Sequence, residues 1–214
     1  GPEVVSADDH LSVHHAFQSK AGGSVRHPHL SDPALQFKSL RHAVIQSLEQ
    51  GEVPLWNPAI WTGAPLLGNA QSMVGSPVTW IHLLLPSHLA ADVSVVWLLI
   101  WVGLGCGLLA RKLGAETWGA IVAATAGMTS PYISVWLLHP HSATAVWIPW
   151  VLWSFEKRNS ALIGFCTAGL LAGGHPETAF HGGMIACAWW LFRVRSLTIP
   201  VGVTLGALLS APFT

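Results

Sequence analysis

Many of the side chains in this 214-residue sequence that can carry acid–base or ligand chemistry lie in the first 52 residues, and beyond residue 88 most of them lie in short polar joints between apolar runs. The joints of interest carry two carboxylates and four imidazoles, namely Asp32, His139, His141, His175, Glu177 and His181. Carboxylates and imidazoles take up and release protons, so these residues are candidates for general bases and acids. Neutral imidazole also suits zinc, which makes a metal site the alternative for the histidines.

Structural roles compete with chemical ones at these positions. Asp32 precedes Pro33 and a run of helical periodicity, so it is well placed to cap a helix N-terminus. Glu177 follows His175 closely, and the two predict a hydrogen-bonded pair at a helix end. The segment His139-x-His141 is typical of a turn and has no cysteine beside it. We therefore predict no bound metal and no cofactor.

We assign no chemical role to two other groups of reactive side chains. The three cysteines, Cys106, Cys166 and Cys187, lie in apolar runs without a CxxC spacing, so we expect small buried hydrophobic residues and neither a disulfide nor a zinc site. The acidic segment Asp8-Asp9-His10 falls in a polar stretch, residues 1–30, that we predict to be poorly ordered, so we assign this cluster no function.

The composition indicates that the elements carrying the polar joints lie in a membrane. Only 9% of the residues are charged and 51% are hydrophobic, with a mean hydropathy of +0.49. A soluble domain devotes about a quarter of its residues to charged types. This chain has too few charges to cover a water-facing surface. No basic patch or stripe suggests a nucleic-acid partner. We predict an all-α, polytopic transmembrane bundle of about six spans.

Three parts follow from the pattern along the chain: the polar segment 1–30, an outward loop at 31–87, and a transmembrane bundle at 88–214. Within the loop, residues 33–50 predict an amphipathic helix that ends at Gly51 and lies along the membrane interface. Its apolar side is Phe37, Leu40, Val44 and Leu48, and its polar side is Lys38, Arg41, Gln46 and Glu49. The segment from Pro77 to Pro86 is too short to cross a bilayer.

Six apolar runs follow, at about 89–110, 118–138, 142–155, 160–174, 179–192 and 198–214. The first two are long enough to span a hydrocarbon core of roughly 30 Å, and the others are shorter. With six spans, all the later basic residues fall on one side: Arg111, Lys112, Lys157, Arg158, Arg193 and Arg195. Positive residues mark the cytoplasmic side, so the 31–87 loop and the histidine joints face outward.

The two ends of the sequence lead us to expect a fragment. The chain begins Gly1-Pro2-Glu3 without a methionine, and it stops at Thr214 within an apolar run. The first thirty residues contain neither a span nor a signal-peptide pattern. We expect at least one upstream membrane helix and several downstream ones to be missing.

The outer loop carries the most specific motif of the sequence. It runs from Gly51-Glu52-Val53-Pro54-Leu55-Trp56-Asn57-Pro58 through Gly63-Ala64-Pro65-Leu66-Leu67 to Asn69-Ala70-Gln71-Ser72 and Pro77. This loop resembles that of the YfhO-like bacterial membrane proteins, a branch of the GT-C glycosyltransferase superfamily. The segments Arg111-Lys112-Leu113-Gly114, Trp147-x-Pro149 and Gly174-His175-Pro176-Glu177 are also similar to that family. The resemblance covers roughly residues 30–214.

The resemblance implies a membrane glycosyltransferase of the bacterial inner membrane. Such enzymes use a polyprenyl-phosphate-linked sugar as donor and transfer the sugar on the extracytoplasmic side. A carboxylate in the first outer loop is then the expected catalytic base, and Asp32 is the matching position. Lys38, Arg41 and His175 are candidates for stabilising the phosphate leaving group. The other predicted substrate contacts are Trp56, Asn57, Gln71, His139 and Glu177.

Two other functions remain open from the sequence alone. A transporter or flippase could use the same polar cavity, although we find none of the internal repeats that such proteins usually show. A non-catalytic membrane scaffold could retain the Pro-, Gly- and Trp-rich loop for packing.

Overall fold

The computed structural model describes residues 31–60 and 62–213, and this part of the chain is mostly helical, which confirms the all-α prediction. The predicted polar segment 1–30, with Asp8-Asp9-His10, lies outside the described residues. The main helices are α1 (Lys38–Glu49), α2 (Pro77–Leu84), α3 (Ser87–Lys112), α4 (Thr117–Met128), α5 (Pro131–Val135), α6 (Pro140–Ala145), α7 (Ile148–Lys157), α8 (Ser160–Leu171), α9 (Pro176–Trp189) and α10 (Thr198–Ser210).

Short elements complete the described chain. Two strands of two residues each, β1 (Trp56–Asn57) and β2 (Ala64–Pro65), form an antiparallel hairpin in the outer loop. A π-helical turn, Pro33–Phe37, leads into α1, and another, Trp190–Val194, continues α9. Single 3-10 turns lie at Ala70–Ser72 and Ala211–Phe213.

The amphipathic helix forms where the sequence predicts it and buries the predicted side. Phe37, Leu40 and Val44 are buried, because their helical spacing places them along one face. The helix ends at Glu49, and Gly51 follows two residues later with a φ of +74°, the left-handed conformation that glycine adopts without a steric penalty.

Two predictions about this helix are wrong. Asp32 does not cap an N-terminus, because Ser31 and Asp32 are already helical and the Asp32 carboxylate makes no capping hydrogen bond. Arg41 does not lie on the solvent face with Lys38. Its guanidinium turns inward and hydrogen-bonds His82 of α2.

Only one described helix, at Leu89–Lys112, is both long and apolar enough to cross a membrane. The predicted span at 118–138 is instead divided between α4 and α5. Ser130 is extended, with φ −55° and ψ 129°, and Pro131 begins the next helix. Proline lacks the N–H that would continue the helix and disfavours helical geometry at the residue before it. The run at 142–155 is divided for a related reason, since Pro149 lies in the first turn of α7.

Helices that follow one another along the chain alternate in direction. In the α3–α4 pair, Gly103 lies against Met128 and Gly107 against Ala120, so the two helices are antiparallel. In the α8–α10 pair, Gly202 lies against Ile163 and Gly206 against Thr167, so these helices are parallel, with α9 returning between them. Small residues allow close backbone approach, which is the usual packing of membrane helices.

The bundle has a basic end and a histidine end. At the basic end, Arg193 donates from Nε to Glu156 Oε1 over 2.7 Å, and Trp189 donates from Nε1 to the same oxygen over 2.9 Å. These bonds join the last turns of α7 and α9, so two of the predicted basic joints lie together. The other ends of α6 and α9 meet at the histidine joints, where Gly174 packs against Pro140 and Met73.

Gly174 tests the packing of the histidine end. Its φ is +97°, and a Cβ added there would lie 2.4 Å from Met73 Cγ and 3.0 Å from the Ala70 carbonyl oxygen. We expect Gly174→Ala to lower the free energy of unfolding by about 1–3 kcal/mol through backbone strain and overpacking. Thermal unfolding in detergent measures the change. The control is Gly183→Ala on α9, where an added Cβ meets nothing within 4 Å. Equal melting temperatures for the two variants would contradict the assignment.

Candidate functional site

Two His-Pro dipeptides build the candidate site. His139 precedes Pro140 at the start of α6, and His175 precedes Pro176 at the start of α9. The residue before a proline is held in extended geometry, and proline suits the first turn of a helix. Both histidines are accordingly extended, with φ and ψ of −106° and 158° for His139 and of −129° and 96° for His175. Each dipeptide therefore places one imidazole at the N-terminus of the helix that follows it.

The aromatic rings of the two joints form a stack. His141 lies between the other two rings, with its centroid 4.2 Å from that of Trp136 and 3.6 Å from that of His175. His139 meets the edge of Trp136 at a centroid distance of 4.9 Å. Phe37 packs against His139 at 5.6 Å and so connects the interfacial helix to the stack.

His175 has a defined hydrogen-bonding state. Its Nδ1 accepts a hydrogen bond from the Thr178 N–H over 3.2 Å, and the Thr178 hydroxyl lies 2.8 Å from the same atom. Tyr132 Oη lies 2.9 Å from that hydroxyl, so a donor chain runs from Tyr132 through Thr178 to His175. Because Nδ1 accepts, the proton of the neutral ring is on Nε2. Thr178, and not Glu177, is the hydrogen-bond partner of His175, so the predicted His175–Glu177 pair is wrong.

Burial keeps the three histidines uncharged at neutral pH. It lowers the pKa of His139 and of His175 below the ordinary value, and that of His141 to about 4. Neighbouring histidines lower the pKa of His141 further, whereas Glu177 and Asp32 act in the opposite direction. The charged form of an imidazole is disfavoured where water is excluded.

The predicted base lies within electrostatic range of the histidines. The negative charge of Asp32 raises the pKa of both His139 and His141, and that of Glu177 raises the pKa of His141 and His175. The fold thus brings together four residues that the sequence marks as site residues, namely Asp32, His139, His175 and Glu177. They come from three segments that are far apart in sequence.

The outer loop reaches the edge of this site through its 3-10 turn. Gln71 Oε1 accepts a hydrogen bond from Gln36 Nε2, and Gln36 lies one residue before Phe37. Asn69 caps the turn by accepting from the Gln71 N–H over 3.1 Å. Gln71 therefore lies beside the segment that carries Asp32 and Phe37, and Lys38 is exposed on the helix that follows this segment.

Three predicted site residues lie elsewhere. Asn57 is buried in the hairpin and accepts a hydrogen bond from the Ala59 N–H, and the Trp56 indole covers Gly63. Within residues 31–60 and 62–213, no hydrogen bond or ring contact joins either residue to the histidines. Arg41 lies nine positions after Asp32, about 13 Å along a helix axis, and contacts α2.

Several contributors were missed from the sequence. Trp136, Tyr132 and Thr178 were not singled out as site residues, although each contacts a site histidine directly or through one hydroxyl. The spacing of Thr178, three residues after His175 at a helix start, is the signal that identifies it, because a helix-capping side chain bonds at that position.

No group of three or more potential metal ligands is arranged for an ion in the described part of the chain. The geometry of the stack accounts for this. His141 and His175 face each other with an interplanar angle of 26°, so their nitrogen lone pairs run side by side and do not converge on one point.

Two cavities differ in their relation to the site. The larger, about 420 Å³, lies at the basic end, and none of the predicted site residues lines it. The smaller, about 160 Å³, is apolar and lies between α8, α10 and the outer loop. Its lining includes Trp147, Phe165 and Ala172, and Ala172 is two residues before Gly174. This cavity therefore adjoins the histidine end.

Comparisons with known proteins identify no relative. No protein-family model matches the chain, no curated protein matches it, and no solved structure matches it.

The neutral histidines predict acid sensitivity. A histidine whose pKa is lowered by folding binds fewer protons folded than unfolded, so stability is present above pH 6.5 and is lost as the pH falls toward about 4. We expect the melting temperature in detergent to be lower at pH 5 than at pH 7.5. His141→Gln should reduce this difference, and His42→Gln, at an exposed position of α1, is the matched control. A difference of the same size in the His141→Gln variant would contradict the interpretation.

Proposed function

We propose that this chain acts in a multi-pass membrane glycosyltransferase that transfers a sugar from a polyprenyl-phosphate donor on the extracytoplasmic side. The observation that carries the proposal is the position of Asp32. Phe37, five positions after Asp32, packs on His139 with ring centroids 5.6 Å apart, and the Asp32 charge raises the pKa of His139 and His141, although these histidines lie more than one hundred positions later in the sequence. A carboxylate beside neutral imidazoles at the mouth of a helical bundle suits proton transfer.

The surface of the bundle supports a membrane location. Large apolar side chains are exposed on several helices, among them Trp118 at 77%, Phe192 at 83% and Leu208 at 67%. Exposed apolar area on this scale is unusual for a soluble protein and suits contact with lipid. We place the basic end in the cytoplasm and the histidine end outside, in a bacterial inner membrane.

In the proposed topology, six crossings include two broken ones, α4 with α5 and the run from Ser142 through α7. The remaining crossings are α3, α8, α9 and α10. At 12 residues, α8 covers roughly 18 Å, which is less than the hydrocarbon core of roughly 30 Å. Short crossings of this kind thin the bilayer locally, which brings lipid-linked substrates closer to the site.

In the proposed reaction, the acceptor hydroxyl attacks the anomeric carbon of the donor and its proton passes to the Asp32 carboxylate. The new glycosidic bond forms as the bond from the anomeric carbon to the phosphate oxygen breaks. The polyprenyl phosphate leaves with the electron pair. His175 presents its Nε2–H as a neutral donor to the departing phosphate, and Lys38 contributes a positive charge on the adjoining helix.

The site stabilises the leaving group chiefly with neutral donors. Burial holds His141 and His175 uncharged, so their N–H groups act as oriented dipoles. Arg41 has no part in this step, because it lies on another side of the helix, about 13 Å along from Asp32.

The small apolar cavity supports the choice of a lipid-linked donor. It holds about 160 Å³ and is lined by aromatic and aliphatic side chains near the histidine end. A chain of isoprene units is apolar and flexible, and its first segment suits this cavity while the sugar phosphate remains at the polar joints.

Asp32→Asn tests the base. We expect the rate of sugar transfer from a radiolabelled polyprenyl-phosphate sugar to fall about 10²–10⁴-fold, because the amide cannot take up the proton. The full chain is assayed in membranes, and the exposed carboxylate of α3 provides the control, Asp92→Asn, which should transfer at the wild-type rate. Transfer by Asp32→Asn at the wild-type rate would show that Asp32 is not the base.

Reporter fusions test the topology. We expect a fusion after Lys157 to report a cytoplasmic position and a fusion after His175 to report an extracytoplasmic one, because α8 crosses between them. A fusion after Lys112 is the cytoplasmic reference. An extracytoplasmic signal at Lys157 would rule out the six-span arrangement.

A further inference from the structure

Arg41 and His82 form a second polar centre, away from the histidine stack. Arg41 donates from Nη1 to His82 Nε2 over 3.2 Å. His82 donates from Nδ1 to the Val78 carbonyl oxygen over 2.9 Å, which fixes the tautomer with Nε2 as the acceptor. The Ser94 hydroxyl of α3 lies 3.4 Å from the same Nδ1. Arg41 is therefore held by an uncharged ring.

The charge of Arg41 has no counter-charge in the described part of the chain, where no carboxylate lies within ion-pair distance of it. Its Nε is sealed from solvent and has no hydrogen-bond partner, while the side chain as a whole keeps some exposure. Burial lowers the pKa of Arg41 to about 10 and that of His82 to about 4, so at neutral pH the first is charged and the second is not. A buried cation without an anion is costly.

The surroundings of Arg41 indicate which anion is at hand. It extends from the interfacial helix toward α2, whose Trp80 and Leu84 are exposed at 46% and 78%. Exposed tryptophan and leucine on a short helix beside the start of α3 are typical of the level of lipid headgroups. At that level the abundant anion is the phosphate of phospholipids, and the planar guanidinium binds phosphate with two parallel hydrogen bonds.

We propose that Arg41, oriented by His82, binds the phosphate of a bilayer phospholipid at the extracytoplasmic face of the membrane. This phosphate is not the donor's. The donor phosphate is bonded to the anomeric carbon, which must lie beside the base, whereas Arg41 is about 13 Å along the helix from Asp32. Such a lipid stabilises the position of the helix that carries Asp32 and Phe37.

Lipid binding is measured by native mass spectrometry of the full chain, with phosphatidylglycerol, polyprenyl phosphate and a diacylglycerol of matched acyl chains as probes. We expect phosphatidylglycerol to bind and diacylglycerol not to bind. Arg41→Gln should weaken phosphatidylglycerol binding about tenfold or more, because a charge-assisted hydrogen bond is lost. Lys112→Gln removes an exposed positive charge at the other end of α3 and should leave the affinity unchanged.

Three outcomes would overturn the assignment. The first is equal binding of phosphatidylglycerol to the wild type and to Arg41→Gln. The second is displacement of the lipid by an equal concentration of inorganic phosphate, which would make the ligand a free anion. The third is Arg41-dependent binding of polyprenyl phosphate without binding of phosphatidylglycerol, which would assign Arg41 to the donor. None of these outcomes bears on Asp32 as the base.

The melting temperature, measured with and without lipid, distinguishes a ligand site from a hydrogen bond that is only structural. In lipid-free detergent, Arg41→Gln removes an uncompensated charge, so we expect its melting temperature to exceed that of the wild type by about 2–4 °C. With added phosphatidylglycerol the order should reverse. A lower melting temperature for Arg41→Gln under both conditions would overturn the proposal.

Arg41→Lys is the second variant, and it covers the case in which Arg41→Gln does not fold. It keeps the positive charge and removes the planar pair of donors, so we expect phosphatidylglycerol to bind less tightly than to the wild type. Wild-type affinity in Arg41→Lys would contradict the bidentate geometry.

Discussion

The close packing of His141 on His175, with ring centroids 3.6 Å apart, excludes a positive charge on both imidazoles at once. Two imidazolium ions at that distance would repel strongly in a site from which water is excluded. The rings come from joints that are separated along the chain by α7 and α8, so the stack forms only when α6 and α9 begin at the same level. The Gly174 turn and the two His-Pro dipeptides meet that requirement, and the hydrogen bonds of Thr178 then fix which nitrogen carries the proton.

The sequence predicts where helices form better than it predicts where they are interrupted. The buried stripe of Phe37, Leu40 and Val44 follows from helical spacing, and the long apolar helix of α3 follows from length and composition. The breaks at Ser130 and before Pro149 do not follow from hydropathy, because the residues on both sides are equally apolar. Proline geometry decides these positions.

Side-chain direction explains the remaining differences at the candidate site. Periodicity assigns Arg41 to the polar face, but His82 offers a bare ring nitrogen that turns the guanidinium inward. Asp32 has the residue type of a helix cap, yet the chain is helical before it, and the carboxylate is left without that role. The proximity of Asp32, His139 and His175 could be expected, because the sequence predicts all three residues on the same side of the bundle. The stacking of the rings could not, because it depends on the relative level of two helices.

The amphipathic helix connects the two polar centres of the molecule. Phe37 packs on His139 near its beginning, and Arg41 bonds His82 about one turn later. A shift of this helix along its own axis would therefore disturb both contacts together. The exposed Lys38 lies between them and moves with the same rigid segment.

The double hydrogen bond to Glu156 bears on the order of assembly. Glu156 is made before its partners, since Trp189 and Arg193 follow more than thirty residues later. While the chain emerges, this carboxylate at the end of α7 has neither partner, and it gains both only when α9 has been completed and has returned to the same side. The docking of α9 thus supplies both hydrogen-bond partners of Glu156, and until then α7 and α8 lack this contact at the basic end.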